Sequence, residues 1–274
     1  MEGKKTRLLK LVYVLILTIV ELSPNESLDK NFMKTDHIYH EDCLKTLSKM
    51  EDSSVDLVIT SPPYNMNLRI FYGKYASRQV VKELSTKYHD FADNLPIEDF
   101  YNFHKNVLTE LLRVSDLIFY NIQIVTGSKR AFFKMIGDFN ENLKDIIIWD
   151  KGHGVPAIGE NVLNRQSELI LVFEKDYPIS RQFRKKGRFK RGTLKDIWEI
   201  RREGKKKNHG AVFPEELVNK ILINFSDEND IIYDPFMGTG TVGVAAKKTN
   251  RQFIGSEISK EYVNYARDRI RKIK

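Results

Sequence analysis

Past Met33 the chain alternates short apolar runs of strand length with amphipathic stretches of helical period, and this alternation constrains the fold more than any other feature. Val55–Thr60 is one such run. It stops at Ser61-Pro62-Pro63, because proline cannot continue a central strand. Leu117–Ile122, Leu143–Trp149, Leu169–Phe173, Ile231–Asp234 and Phe253–Glu257 read as further strands. Pro96–Val114 reads as an amphipathic helix with Phe100, Phe103, Val107, Leu108 and Leu111 on one side. Pro214–Phe225, Thr241–Lys248 and Ser259–Ile270 read as helices. The first of them has proline near its first position and Glu215 and Glu216 in its first turn. Strand, helix and strand repeated in this way imply a mostly parallel sheet with helices on both faces. A chain of 274 residues, 41% of them hydrophobic, suits one such α/β domain with room for an inserted module.

Residues 1–32 differ from the rest. Glu2–Arg7 is charged and Leu8–Leu22 is nearly all apolar, a layout that mimics a secretory leader. The unbroken run Leu11–Val20 falls short of the roughly 20 residues that cross a bilayer. Leu22-Ser23-Pro24 is a poor cleavage site. A packed extra element, or an extension upstream of a true start at Met33, is expected in preference to a membrane anchor. Residues 33–274 are read as the main domain. One cysteine, Cys43, excludes a disulfide within the chain and fits a reducing cytoplasm.

The net charge of +8 is not spread evenly. Arg181–Lys207, within a segment of about 175–210, holds thirteen cations against Asp196, Glu199 and Glu203. That is a local +10, which leaves −2 for the remainder. Such clustering is the footprint expected of a nucleic-acid surface. The expected contact residues are Arg184, Lys185, Lys186, Arg188, Lys190, Arg191, Arg201, Arg202, Lys205, Lys206 and Lys207. Interleaved Phe183, Phe189 and Trp198 argue against a purely solvated loop.

Two motifs carry chemistry. In Asp234-Pro-Phe-Met-Gly238-Thr-Gly240, glycines between a strand and a helix let the backbone pass close to a ligand. Glu257 closes the next strand 19 residues after Gly238, where an acidic side chain can accept from ribose hydroxyls. No Gly-Lys-Ser/Thr is present, which argues against a phosphate-cradling loop. In Thr60-Ser61-Pro62-Pro63-Tyr64-Asn65, two prolines stiffen the turn and leave carbonyls as acceptors. Ser61 Oγ and the Pro62 carbonyl can each accept a hydrogen from one amino group. An amine on an aromatic ring is a poor nucleophile, because its lone pair is delocalised. Holding both hydrogens out of plane localises that pair. Tyr64 offers a flat surface for a base. A third cluster, His40-Glu41-Asp42-Cys43, is a poor metal site, because neighbours on an extended segment point in opposite directions.

Together, Ser61-Pro62-Pro63-Tyr64 and Phe236-Met-Gly238-Thr-Gly240 resemble the signatures of the DNA amino-methyltransferases, which form N4-methylcytosine or N6-methyladenine. The catalytic motif comes first and the cofactor motif last, as in the beta group of that family, and the resemblance spans roughly Lys34 to Ile270. Asn208–Leu217 and Arg251–Ile258 extend it. The resemblance implies a Rossmann-like class I methyltransferase fold, with a seven-stranded sheet holding one antiparallel strand. It implies S-adenosyl-L-methionine as cofactor and double-stranded DNA as partner. Asp234, Phe236, Gly238 and Gly240 would line the methionine side, Glu257 the ribose and Asp42 the adenine. Phe213 and Pro214 would belong to the segment covering the cofactor, and Ser61, Pro62, Pro63 and Tyr64 would hold a flipped base. A homodimer and a companion restriction endonuclease are expected by analogy.

Serine at position 61 favours cytosine N4, while Asn65 also occurs in adenine enzymes, so N6-adenine stays open. RNA-base and protein-glutamine methyltransferases with a similar turn usually place the cofactor motif first. A non-catalytic DNA-binding protein on a decayed methyltransferase fold is the reading from another class. Cys43 lacks the Pro-Cys setting of the carbon-5 cytosine enzymes.

Overall fold

Strands without polar alternation must be covered on both faces, and the packing bears this out residue by residue. The computed structural model describes residues 33–66, 68–71, 74–77, 94–155, 160–176, 182–183, 187–202 and 213–273. The expectations for residues 1–32 lie outside these. In chain order the elements are β1 (His37–Tyr39), α1 (Cys43–Leu47), β2 (Leu57–Thr60), β3 (Leu68–Phe71), β4 (Lys74–Ser77), α2 (Ile97–Val114), β5 (Leu117–Ile122) and α3 (Lys129–Asp138). Then follow β6 (Leu143–Val155), β7 (Arg165–Glu174), β8 (Ile197–Glu199), α4 (Glu215–Phe225), β9 (Ile231–Asp234), α5 (Thr241–Lys248), β10 (Gln252–Ser256) and α6 (Lys260–Arg271).

The main sheet has the order β1-β10-β9-β2-β5-β7-β6-β8. β7 alone runs against the others, antiparallel to both β5 and β6. Leu57 and Ile59 enter one core layer and Val58 the other, and Leu117 and Phe119 likewise alternate with Ile118 and Tyr120. One layer is closed by Leu217, Val218, Ile221 and Phe225 of α4, with residues of α5 and α6. The other is closed by Leu47 of α1, by Phe100, Val107, Leu108 and Leu111 of α2, and by Phe132 and Met135 of α3.

The sheet has eight strands where seven were expected, because Ile197–Glu199 adds β8 beside β6. That strand lies inside the basic segment. Trp198 is fully buried, and its indole N–H donates to the Lys195 carbonyl at 2.7 Å. Phe183 and Phe189 pack on Phe225 with ring centroids at 5.0 and 5.4 Å. Part of the segment read from its charge as a DNA surface is therefore core, pinned by its aromatics. Trp198→Ala is expected to destabilise the fold by about 3–5 kcal/mol, as a large aromatic-to-alanine cavity does. The check is the midpoint of denaturant unfolding.

Several boundaries differ from the sequence reading. β6 and β7 are longer than expected, and β1, α1, α3 and the β3–β4 hairpin were not anticipated. Pro214 stands just outside α4 as its N-cap, rather than as its first residue, and Glu215 and Glu216 occupy the first turn as expected. No helix among the described residues is long and apolar enough to cross a membrane.

Candidate active site

The chain leaves β2 for β5 by way of α2, and leaves β9 for β10 by way of α5. β2 and β9 are adjacent, yet these two helices cover opposite faces of the sheet. The connections therefore diverge at the carboxyl ends of β2 and β9. That point opens a crevice where ligands of such sheets bind. Both sequence motifs start there. Thr60, the last residue of β2, is buried and donates from Oγ1 to Asp234 Oδ1 at 2.8 Å. Asp234 is the last residue of β9, so one hydrogen bond ties the two turns together across 174 positions of sequence.

In the proline turn, Pro62 and Pro63 are buried, while Ser61 and Tyr64 are half-buried. Asn65 ends the turn with φ +56, a left-handed conformation that asparagine tolerates. It is fully buried and donates to the Leu95 and Gly127 carbonyls at 2.9 and 3.1 Å. Its side-chain NH2 is therefore spent within the turn's own surroundings. Ser61 Oγ lies 2.6 Å from Tyr64 Oη. Asn121, at the end of β5, donates from Nδ2 to Tyr64 Oη at 2.7 Å and to Glu168 Oε2 at 2.8 Å. Tyr64 Oη donates to Glu168 Oε2 at 3.2 Å. On its far side Glu168 meets Lys151 Nζ at 3.1 Å and Arg202 at 3.7 Å. Glu168 and Lys151 are both buried, a rare condition for charged side chains unless paired. Behind the turn, His104 Nδ1 lies 2.5 Å from Tyr120 Oη. Burial pushes this imidazole down to about 3, partly offset by the Pro63 carbonyl.

Asn121, Glu168, Lys151 and His104 were missed in the sequence reading. The available signal was a charge at the end of an apolar strand: Lys151 follows Ile146–Trp149, and Glu168 precedes Leu169–Phe173.

The glycine loop sits on β9. Gly238 has φ +50, and a Cβ there would meet only the Phe236 carbonyl oxygen at 3.8 Å. Gly240 has φ +81, and a Cβ there would lie 2.7 Å from Ala266 Cβ. The first glycine borders open space and the second lets the loop approach α6. Glu257 closes β10 and pins the loop. Its Oε2 accepts the Gly238 N–H and its Oε1 the Ser259 N–H, both at 2.8 Å. The Glu257 N–H donates to the Tyr39 carbonyl of β1, which brings Asp42 to the same edge. Asp42 itself is extended, with φ −60 and ψ 140, and Cys43 opens α1. Asp42 is the N-cap of α1 and accepts the Leu44 N–H at 2.8 Å. Glu41 turns away to Lys49 at 2.5 Å.

Asp42, Glu257 and Asp234 thus follow one another along the ends of β1, β10 and β9. Three carboxylates beside an open glycine cradle suit a ligand rich in cations, hydroxyls and amino hydrogens. Asp234 is fully enclosed, and burial raises its carboxyl to about 7, against the lowering effect of Thr60 and the Phe236 N–H. In the unfolded chain it would ionise near 3.9. The folded form therefore retains a proton that the unfolded form releases. Its stabilising contribution is complete below about pH 4 and declines as pH rises toward 7. Asp234→Asn keeps an oxygen for both donors and removes the charge. Its stability relative to wild type is expected to increase between pH 5 and pH 8, by about 1.4 kcal/mol for each tenfold displacement of the ionisation constant. Urea unfolding at the two pH values checks this.

Phe236 is half-buried, its ring centroid 6.0 Å from that of Phe103. Phe213 meets Trp149 edge-on at 6.2 Å, and Pro214 is buried. Of the basic side chains, Arg188 is paired with Asp227, while Lys190, Arg191 and Arg201 are exposed. Arg202 reaches the Glu168 carboxylate instead of standing apart on a surface. Arg184, Lys185, Lys186, Lys205, Lys206 and Lys207 lie outside the described residues.

A family model described as DNA methylase matches residues 55–268. The type II methyltransferase M.BglII of Bacillus subtilis is 28% identical over 267 residues, covering 84% of this chain and 67% of its own. The type II methyltransferase M2.MboI of Moraxella bovis is 26% identical, covering 90% of each chain. Among solved structures, the PvuII DNA methyltransferase (cytosine-N4-specific) shares the fold with a TM-score of 0.64, 17% identity and 86% of each chain covered. A DNA modification methylase of Thermus thermophilus, complexed with S-adenosyl-L-methionine, gives a TM-score of 0.59 at 22% identity, covering 86% of this chain and 94% of its own.

Proposed function

Because the chain belongs to the DNA methylase family of S-adenosylmethionine-dependent amino-methyltransferases, we propose that it methylates N4 of a cytosine turned out of duplex DNA. The Thr60–Asp234 hydrogen bond carries this reading, since it holds the acceptor turn beside the carboxylate-lined loop. Ser61 in place of an aspartate favours cytosine. Asn65, whose side chain is occupied by two carbonyls of its own fold, offers no counterweight toward adenine. The PvuII structure, described as cytosine-N4-specific, points the same way.

The cofactor supplies an electrophilic methyl group on a sulfonium. Glu257 would accept from the ribose hydroxyls with the lone pairs left over from Gly238 and Ser259, Asp42 would hold the adenine and Asp234 would line the methionine side. Gly238 leaves room for the ligand beside its backbone. Phe236 lines the same side, and Phe213 and Pro214 form the cover. Ser61 Oγ and the Pro62 carbonyl accept the two amino hydrogens of the base, and the Tyr64 ring stacks on it. A base inside the helix cannot reach that turn, so extrusion at a cost of a few kcal/mol is required. The exposed cations of the basic segment offset that cost through phosphate contacts. The site of action is the cytoplasm, where DNA is accessible and Cys43 stays reduced. Dimerisation and a companion endonuclease belong to the same reading, by analogy.

The test is nuclease digestion and mass spectrometry of DNA from a methylation-free host expressing the chain. N4-methylcytosine is expected. N6-methyladenine alone would overturn the choice of base, and absence of both would overturn the function.

A further inference from the structure

Glu168 sits on β7, the reversed strand, 104 positions from the tyrosine whose hydroxyl it receives. A carboxylate only accepts hydrogen bonds, and this sets the direction of every donor before it. The Asn121 amide must turn its NH2 to Glu168. The Tyr64 hydrogen must point to Glu168 Oε2. Tyr64 Oη, having given its hydrogen away, accepts from Ser61 at 2.6 Å. Ser61, its hydrogen drawn into the turn, keeps lone pairs for a group on its exposed side. The chain of hydroxyls therefore runs Ser61 to Tyr64 to Glu168 and ends on a buried acid.

We infer that Glu168 is the terminal proton acceptor for the reacting amine, acting through Tyr64 and Ser61. The inference rests on the amino-methyltransferase reading of this site. The amine nitrogen bonds to the methyl carbon as the carbon–sulfur bond breaks, and that bond's electron pair stays on sulfur. The nitrogen's surplus proton passes to Ser61 Oγ, the Ser61 hydrogen to Tyr64 Oη and the Tyr64 hydrogen to Glu168 Oε2. One proton leaves the base and one arrives on the carboxylate, so no further reactant is needed. Lys151 from β6 and Arg202 beyond β8 face the other oxygen, and Arg165 faces Lys151 in turn. Burial lowers the Lys151 ammonium, while Glu168 raises it. Arg202, partly exposed, borders the same carboxylate. Glu168 is thus a positioning residue that also takes the proton. It does not touch the base.

The experiment measures single-turnover methyl transfer against pH for wild type, Glu168→Gln and Tyr64→Phe, using a duplex whose site has been mapped by sequencing. Cofactor binding, DNA binding and base extrusion without cofactor, followed by 2-aminopurine fluorescence, are measured alongside. Both variants are expected to be about 10²-fold slower, with a pH profile different from that of wild type, as loss of a general base predicts. Cofactor binding, DNA binding and extrusion should stay at wild-type levels, which a merely structural role would not produce. Either variant reacting at the wild-type rate with the wild-type pH profile overturns the inference. If Glu168→Gln fails to fold with Lys151 left facing an amide, the double variant with Lys151→Met removes both charges. That variant, like Tyr64→Phe, must still be slow. A wild-type protein that methylates no DNA would instead sink the functional reading itself, and this inference with it.

Discussion

Ser61→Ala is expected to lower the single-turnover rate of methyl transfer by about 10²–10³-fold, the scale seen when one preorganised polar contact to a reacting group is removed. The serine is half-buried at the mouth of the crevice and takes part in no element of the sheet. Its removal should leave the fold, and the affinity for S-adenosylmethionine, at wild-type levels. The measurement is rapid-quench methylation with radiolabelled cofactor, paired with calorimetry of cofactor binding. Tyr64→Ala should slow the reaction as well, and also weaken base extrusion by about 1–3 kcal/mol through lost stacking. Wild-type turnover by Ser61→Ala would remove the proline turn from the chemistry.

The glycine loop offers a second, sharper contrast. Gly240→Ala places a methyl 2.7 Å from Ala266 Cβ and 3.1 Å from Ala266 Cα, in a backbone conformation with φ +81. Neither neighbour is the end of a flexible chain. The left-handed cost of about 1–2 kcal/mol adds to about 1–3 kcal/mol of overpacking. A fall in melting temperature of about 5–15 °C is expected, at about 2–4 °C per kcal/mol for a chain of this size. Gly238→Ala meets only an oxygen at 3.8 Å, so it carries the conformational cost without the clash. Its methyl projects toward the open side of the loop, and cofactor affinity should fall by about tenfold, or about 1.4 kcal/mol. Differential scanning calorimetry and cofactor titration on the two variants separate the roles. If Gly238→Ala binds cofactor as wild type does, the loop is not the cradle.

The basic segment shows why composition alone misleads about location. Its cations suggested part of a DNA-facing surface, with interleaved aromatics that argued against a purely solvated loop. Trp198, Phe183 and Phe189 instead anchor part of it to the core, and β8 completes the sheet edge. Arg188 is paired with Asp227, and Arg202 reaches a buried carboxylate. Lys190, Arg191 and Arg201 are exposed.

What residue order determined by itself is what depends on neighbours along the chain. The apolar runs Leu57–Thr60, Leu117–Ile122 and Ile231–Asp234 specify strands, because both faces of a central strand are buried. Proline halts β2 at Ser61, and glycines turn the chain after Asp234, through local backbone sterics. Partnership across the sheet has no such local signature. Thr60 meets Asp234, Tyr64 meets Glu168 and Asn121 meets both Tyr64 and Glu168 only after β2, β5, β7 and β9 align. Strand order and register are chosen by burial summed over the whole core. Residues 47 to 174 positions apart become hydrogen-bonded neighbours for a reason that no segment of sequence contains.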